Sequence, residues 1–279
     1  MCILVVALGC HPALPFVCAH NRDESRDRPS GEDHLEPATG IICGRDIRAG
    51  GMVLGLHAAT GHFSALTNCR SHVKRDRTVS RGRLVEHLVS MGPGAAHEFF
   101  QWNRHDLDGF HVVFGDVLGS EPRLQYLWNA PVDSEEVSSA PQWRSSLCEL
   151  QRGAVFVVSN ENPAGASSAR AWPKCDWLRE EVAKFLRSLP EDPAVDDVHA
   201  GLREIMDRHD VPGLVPPEHL PRYYPEEREQ LLHTGPFAPW REEFTTFGTV
   251  SQRVLVSDAR TRELHYFHRS TNLDWEHAT

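Results

Sequence analysis

The chain has 279 residues, of which 40% are apolar and 24% charged, and its formal net charge is −10. That length suits one large domain or two small ones and is enough to bury a sizeable core. The acidic balance argues against broad nucleic-acid binding, which needs a basic patch. No segment reaches the roughly 18 consecutive apolar residues of a membrane span.

The sequence opens MCILVVAL, and PFVCAH follows at residues 15–20. The two apolar runs flank a short loop with Gly and Pro, so they read as a hairpin of central strands covered on both faces. No basic segment precedes the first run, and it is too short for a signal sequence with its cleavage site. It is therefore expected to be a buried strand in a cytoplasmic protein. MVLGLHAAT and HFSALTN, meeting near Gly61, read as a second hairpin. Leu84, Val85, Leu88 and Met91 then recur at helical spacing behind Ser80, a suitable N-cap. A second helix follows Pro93. GFHVVFGDV and RLQYLWN read as another strand pair, and GAVFVVSN as a short buried strand ending at Asn160.

Two amphipathic helices come next. One places Trp177, Leu178, Val182, Phe185 and Leu189 on one side, and the other Val198, Leu202, Ile205 and Met206. Residues from about 211 to 244 are Pro-rich without a clear period and read as an irregular excursion. QRVLVSD and ELHYFH read as a closing hairpin. Strands at both ends of the chain imply one domain over residues 1–279, with paired sheets and helices outside, an α+β layered architecture.

Cys2 is the first candidate for chemistry. When the initiator Met is removed, this residue carries both a thiol and a free α-amine. An α-amine titrates near ~8 and a thiol near ~8.5, so the amine can serve as the local base for its own thiol. The other reading is a small residue that fits a tight sheet. HNRDESRDRP at residues 20–29 gathers His20, Asn21, Arg22 and Asp23 at the end of the second apolar strand. There Asp23 can orient the Cys2 ammonium, and Arg22 can hold an anion bidentately; a solvated turn would also use this composition. Asn68 and Asn160 each end an apolar strand, where an amide can serve an oxyanion or begin a turn.

Seven Cys, an odd number without a CxxC spacing, imply no disulfide framework. Cys18 and His20 share one strand face, but two ligands do not make a metal site, and none is expected. No phosphate-binding glycine motif occurs.

Taken together, several stretches resemble the NRDE proteins, also called the Transport and Golgi organisation protein 2 family. They are MCI at the start, NRDES at 21–25 with RP at 28–29, GG and LGL within 50–56, and ALTN at 65–68. SRGRLVEHL at 80–88, GFHVVFGD at 109–116, VSN at 158–160 and FGTVSQRVLVSD at 247–258 follow in family order, with HRS at 268–270. The resemblance implies a four-layer αββα sandwich of the N-terminal-nucleophile hydrolase type. It is more distantly similar to choloylglycine and penicillin V acylases, which cleave amides with an N-terminal Cys. By motif, Cys2 matches their nucleophile, Asp23 the nearby Asp, and Asn68 and Asn160 the two Asn of the oxyanion region. His20, Asn21 and Arg22 are then expected to bind substrate. Two positions depart from that pattern. His20 stands where those acylases have an Arg, and Val250 replaces an Arg in the GTRT motif, with Arg253 three residues on.

The resemblance also links the chain to secretion and Golgi organisation, to mitochondrial and lipid homeostasis, and to haem mobilisation. Two functions follow as expectations. One is a cysteine amidohydrolase or acyl transferase without a cofactor. The other is a non-catalytic carrier of haem, acyl-CoA or lipid, with the Pro-rich stretch as a lid.

Overall fold

The computed structural model describes residues 2–25, 27–71, 79–132, 142–164, 172–214, 225–239, 247–270 and 276–278. The strands are β1 (Ile3–His11), β2 (Leu14–Ser25), β3 (His34–Glu36), β4 (Ile41–Arg45), β5 (Met52–His57), β6 (His62–Asn68), β7 (Phe110–Asp116), β8 (Arg123–Pro131), β9 (Trp143–Glu149), β10 (Val155–Val158), β11 (Phe247–Asp258), β12 (Glu263–Ser270) and β13 (Glu276–Ala278). The helices are α1 (Arg81–Met91), α2 (Ala96–Asn103), α3 (Pro173–Ser188), α4 (Val195–Met206) and α5 (Glu226–His233).

The strands form two sheets, one ordered β10-β1-β2-β11-β12-β13 and the other β3-β4-β5-β6-β7-β8-β9. Every pairing is antiparallel. The chain is therefore a mixed α+β protein, and its first and last long strands meet through β2 and β11.

Side-chain alternation along β1 and β2 divides the core. Ile3, Val5, Ala7, Val17 and Ala19 face α3 and α4, which bury Leu178, Val182, Leu186, Val198, Leu202 and Met206 against them. Leu4, Val6, Leu8, Phe16 and Cys18 face the second sheet and meet Ile42, Leu54, Phe63 and Val113. The far face of that sheet packs Ile41, Cys43, Val112 and Phe114 against Leu84, Val85, Leu88 and Val89 of α1. Each fully buried aliphatic or Phe side chain contributes about 1.5–3 kcal/mol. β1 and β2 are covered on both faces, which explains their unbroken apolar runs.

Helical periodicity found α1, α3 and α4, with small shifts of face. In α3 the buried stripe is Cys175, Leu178, Val182 and Leu186, while Trp177, Phe185 and Leu189 pack only partly against the core. The Pro-rich stretch is not wholly irregular, because α5 lies within it. Its sequence EEREQLLH is polar around most of its circumference, with three acidic residues in the first turn. Those carboxylates suit a helix N-terminus but leave no apolar stripe to read. Residues 215–224 and 240–246 of that stretch lie outside the described residues. The short strands β3 and β13 and the strand β4 carry no alternating signal. β9 is an edge strand, largely solvent-exposed along its length, and its backbone pairing to β8 is invisible in WRSSLCE.

Candidate active site at the start of the first strand

Register fixes the neighbours of Cys2. Ile3 lies opposite Asn21 on β2, and Leu4 lies opposite His20 on β2 and Val158 on β10. Carrying both ladders to the strand end places Cys2 between Arg22 and Asn160. Alternation then puts the side chains of Cys2, His20 and Arg22 on the side facing the second sheet.

Ties between the sheets hold this end closed. The Ser159 hydroxyl donates to the Cys2 carbonyl at 2.8 Å. The Thr67 hydroxyl donates to the Ser159 carbonyl, and the Asn160 amide donates to the Asn68 carbonyl. The Arg70 N–H reaches the Asn160 carbonyl at 2.8 Å. The ends of β6 and β10 are thereby locked together beside the first residue of β1.

A cavity of about 80 Å³ opens here, and Cys2, Arg22 and Asn68 all contribute to its wall. Glu24, Arg28, Asp46, Ser80, Arg81 and Gly82 also line it. Arg22 is almost fully buried, with Nη2 3.1 Å from Asp46 Oδ2. Asp46 also holds Arg28 Nε at 2.7 Å and accepts the N–H groups of Arg48 and Ala49. Gly51 and Gly82 are needed for close approach: a Cβ on Gly82 would lie 2.8 Å from the Gly51 Cα. That contact seats the first turn of α1 against the loop before β5 and completes the wall.

Burial pushes the Cys2 thiol above its ordinary pKa; the Asp23 carboxylate adds to the rise and the Arg22 guanidinium opposes it. The thiol is thus not a preformed thiolate, and chemistry at this sulfur needs a base. Burial likewise raises Asp23, opposed by Lys174 and by the Thr249 hydroxyl, which donates to Asp23 Oδ1 at 2.7 Å.

The remaining expected site residues do not line this cavity. Asn21 faces the helices: its Nδ2 donates to the carbonyls of Met206 and Pro236, both at 2.9 Å, and its Oδ1 accepts from Gln252 at 3.0 Å. It fastens the end of α4 to the sheet. Asp23 has the same facing, beside Thr249 of β11. His20 shares the Cys2 face but is fully buried below the cavity. Neither of its ring nitrogens has a hydrogen-bond partner. Burial, then Arg253 and Arg22, hold it neutral well below the usual histidine range. One donor of Asn160 is taken by the Asn68 carbonyl, and its Oδ1 is unpartnered. Asn68 is the asparagine that lines the cavity.

Arg253, opposite His20 on β11, points into the inter-sheet space. It is held there, with Nε 2.6 Å and Nη2 2.8 Å from the two Asp33 oxygens and Nη1 3.1 Å from Ser251 Oγ. Sequence reasoning did not single out Arg28, Asp46, Arg81 or Thr249 as site residues. Arg28, Arg81 and Thr249 do sit inside the RP, SRGR and FGTVSQRVLVSD stretches, but Asp46 carries no local signal. Only the fold brings them to the strand end.

This geometry defines an antiparallel two-sheet α+β protein whose second residue, a cysteine immediately before a central strand, opens onto a polar cavity. The family described as Transport and Golgi organisation 2 matches residues 1–272, and the chain belongs to it. No curated protein matches the chain at a significant level. Among the described residues, no helix is long and apolar enough to cross a membrane.

Proposed function

We propose that the chain is a cysteine amidohydrolase or acyl transferase of the N-terminal-nucleophile type, built on a four-layer αββα sandwich. One observation carries the reading: the Cys2 thiol sits at the end of a rigid central strand in the wall of a polar cavity that it shares with Asn68. Removal of Met1 frees the Cys2 amine. β2 runs antiparallel past this end, so Asp23 lies one position beyond the partner of Cys2. That supports Asp23 as the group that orients the amine.

In the proposed reaction the neutral amine accepts the thiol proton as sulfur attacks the substrate carbonyl. The S–C bond forms, and Asn68 steadies the oxyanion. The C–N bond then breaks, the leaving amine takes the proton, and a thioester remains on Cys2. Water or another acceptor attacks the thioester and releases the acyl group while the thiol is restored. Arg22 is read as a substrate-binding residue.

Haem, the bulkiest cargo of a carrier, would need a large cavity with an accessible ligand. His20 and Cys18 are fully buried, and neither lines a described cavity. About 80 Å³ at Cys2 is also far below the ~300–1,000 Å³ of pockets for larger organic ligands. The cavity at Cys2 does not fit haem.

Intact-mass and labelling measurements test the proposal. The mature chain is expected to begin at Cys2, and limiting iodoacetamide is expected to modify Cys2 before the other six cysteines. A Cys2→Ala variant loses the fast phase. Retention of Met1, or a Cys2 no faster than Cys69 or Cys175, would remove the enzyme reading.

A further inference from the structure

We propose that the β9 edge is an interface between two copies of this chain, with β9 pairing antiparallel to β9 of the second copy about a two-fold axis at Leu147.

The two sheets end in four edge strands, β3, β9, β10 and β13. β3 and β13 have three residues each and β10 has four, whereas β9 has seven. An edge strand presents unpaired N–H and C=O groups, which proteins blunt with short length, Pro, Lys or a bulge. β9 has none of these: WRSSLCE contains no Pro or Lys, and its register with β8 is unbroken. Two ladder bonds fix which groups are free. The Leu150 N–H donates to the Leu124 carbonyl at 2.9 Å, and the Val132 N–H donates to the Gln142 carbonyl at 2.7 Å. Even-numbered residues of β9 therefore bond to β8, and the N–H and C=O groups of Ser145, Leu147 and Glu149 point outward. All three residues are exposed, and among the described residues no strand pairs with them on that side.

The chemistry of the edge makes it its own complement. In a two-fold antiparallel pair each face of the sheet lies on the same side in both copies, so odd residues meet odd and even meet even. With Leu147 on the axis, Leu147 meets Leu147 and Ser145 meets Glu149 of the second copy. Each of these pairs exchanges both N–H···O bonds, because the outward groups of one strand face those of the other. The side chains agree. Leu147 is 45% exposed and borders a dent of about 130 Å³ shared with Phe100, Phe114 and Leu127. Across the axis each Leu147 covers the exposed side of the other, and each Ser145 hydroxyl can donate to a Glu149 carboxylate. On the opposite face Arg144 meets Leu150 and Ser146 meets Cys148, so no like charges oppose one another. Sliding the pair two residues further would set Arg144 against Arg152 of the second copy. An interface of one strand pair falls below the ~1,200 Å² of standard interfaces, so the dimer is expected to depend on concentration.

Sedimentation equilibrium of the full chain, with disulfides reduced, tests the association. A reversible monomer–dimer equilibrium is expected. Leu147→Lys sets two ammonium groups opposite each other at the axis, and Ser145→Pro removes an outward N–H while leaving the β8 ladder whole. Each should weaken the dimer about tenfold or more, as for a lost hydrogen bond or an apposed like charge, with an unchanged denaturation midpoint. Ser146→Ala should leave it unaffected. A chain that stays monomeric at about 1 mM, or a dimer indifferent to both Leu147→Lys and Ser145→Pro, overturns the proposal.

A thiol cross-link tests the register. Ser146 and Cys148 of the second copy form a non-hydrogen-bonded pair, with Cα atoms ~4.5 Å apart, inside the disulfide range. Oxidised Ser146→Cys protein should therefore run as a covalent dimer on a non-reducing gel. Native protein should not, because the two Cys148 residues are diagonal neighbours ~7–8 Å apart. Adding Cys148→Ser to Ser146→Cys should abolish the bridge. No bridge in Ser146→Cys, or one that survives Cys148→Ser, overturns the pairing about Leu147.

Discussion

Arg22 and Arg253 both point from the six-stranded sheet toward its neighbour, and both are almost fully buried. Their surroundings differ. Arg22 shares Asp46 with Arg28 and two backbone N–H groups and forms part of a cavity wall. Arg253 closes on Asp33, whose Oδ2 also accepts the Tyr266 hydroxyl at 3.1 Å. The Arg253 and Asp33 side chains are 1% and 2% exposed. Gly44 packs so closely that a Cβ there would lie 2.2 Å from Asp33 Oδ1. Burial by itself therefore does not mark a functional cation. What separates the two is whether the guanidinium borders space that another molecule can enter. Arg253 is a clamp between the β11 strand and the loop before β3, and it does not replace the arginine that Val250 displaces.

The sharpest way to break this comparison is Arg253→Met. It leaves Asp33 buried with only a tyrosine hydroxyl, and removing one partner of a buried pair costs about 3–5 kcal/mol. Chemical denaturation should show that loss. A loss below about 1 kcal/mol would mean that Asp33 finds another partner and that the clamp is not structural.

The next largest effect lies between the two arginines. His20 is neutral when folded, with its pKa far under the unfolded value of about 6.5. Below that value the unfolded chain binds a proton that the folded chain refuses. The stability contribution is therefore full above about pH 6.5 and is lost as the pH falls. Each such histidine steepens the acid slope by about 1.4 kcal/mol per pH unit. His111 acts in the same direction, as does His233, which burial brings down to about 4. His20→Leu removes no hydrogen bond, so it should cost little near pH 7.5 while flattening the acid slope by one histidine. Parallel slopes for the two proteins would show that His20 is charged when folded.

Arg22→Met should cost less than Arg253→Met, about 1–2 kcal/mol, because Asp46 keeps Arg28 at 2.7 Å and two backbone donors. Equal costs for the two substitutions, measured by denaturation under the same conditions, would erase the distinction between wall and clamp.

The pattern of what was readable follows from physics. β1 and β2 announced themselves because strands covered on both faces must be apolar throughout, and α1, α3 and α4 because one stripe of each is buried. The apolar runs that lead to Cys2, Arg22, Asn68 and Asn160 were legible too, but β2 continues through Arg22 to Ser25 and β10 stops at Val158, so only Asn68 closes its strand. The facing of Asn21 and Asp23 follows from β alternation once the register is known, but the side that carried the cavity was not written in the run itself. Asp33 and Asp46 were beyond reach, and Thr249 was visible only as part of the 247–258 stretch, not as a partner of Asp23. Each is an ordinary polar residue locally, and its role comes from a partner on another element, as with Thr249 and Asp23, which lie 226 positions apart.

The smallest effect concerns the helix that completes the Arg22 wall. Ser80 is the N-cap of α1, and its Oγ accepts the Gly82 N–H at 3.3 Å. An N-cap serine replaced by alanine typically costs about 0.5–2 kcal/mol. Here the low end is expected. The hydrogen bond is long, and the third helical position is Arg83 rather than the Glu or Gln that would close a capping box. The Gly51–Gly82 contact also holds the turn by packing, independently of the cap. Ser80→Ala should therefore lower stability by about 0.5–1 kcal/mol, and hydrogen exchange should rise at the first turn of α1 while β2 stays protected. Exchange that rose along β2 as well would show that the α1 end and the Arg22 strand open together. The cavity wall would then be one cooperative unit, and Arg22 would depend on α1 as firmly as Arg253 depends on Asp33.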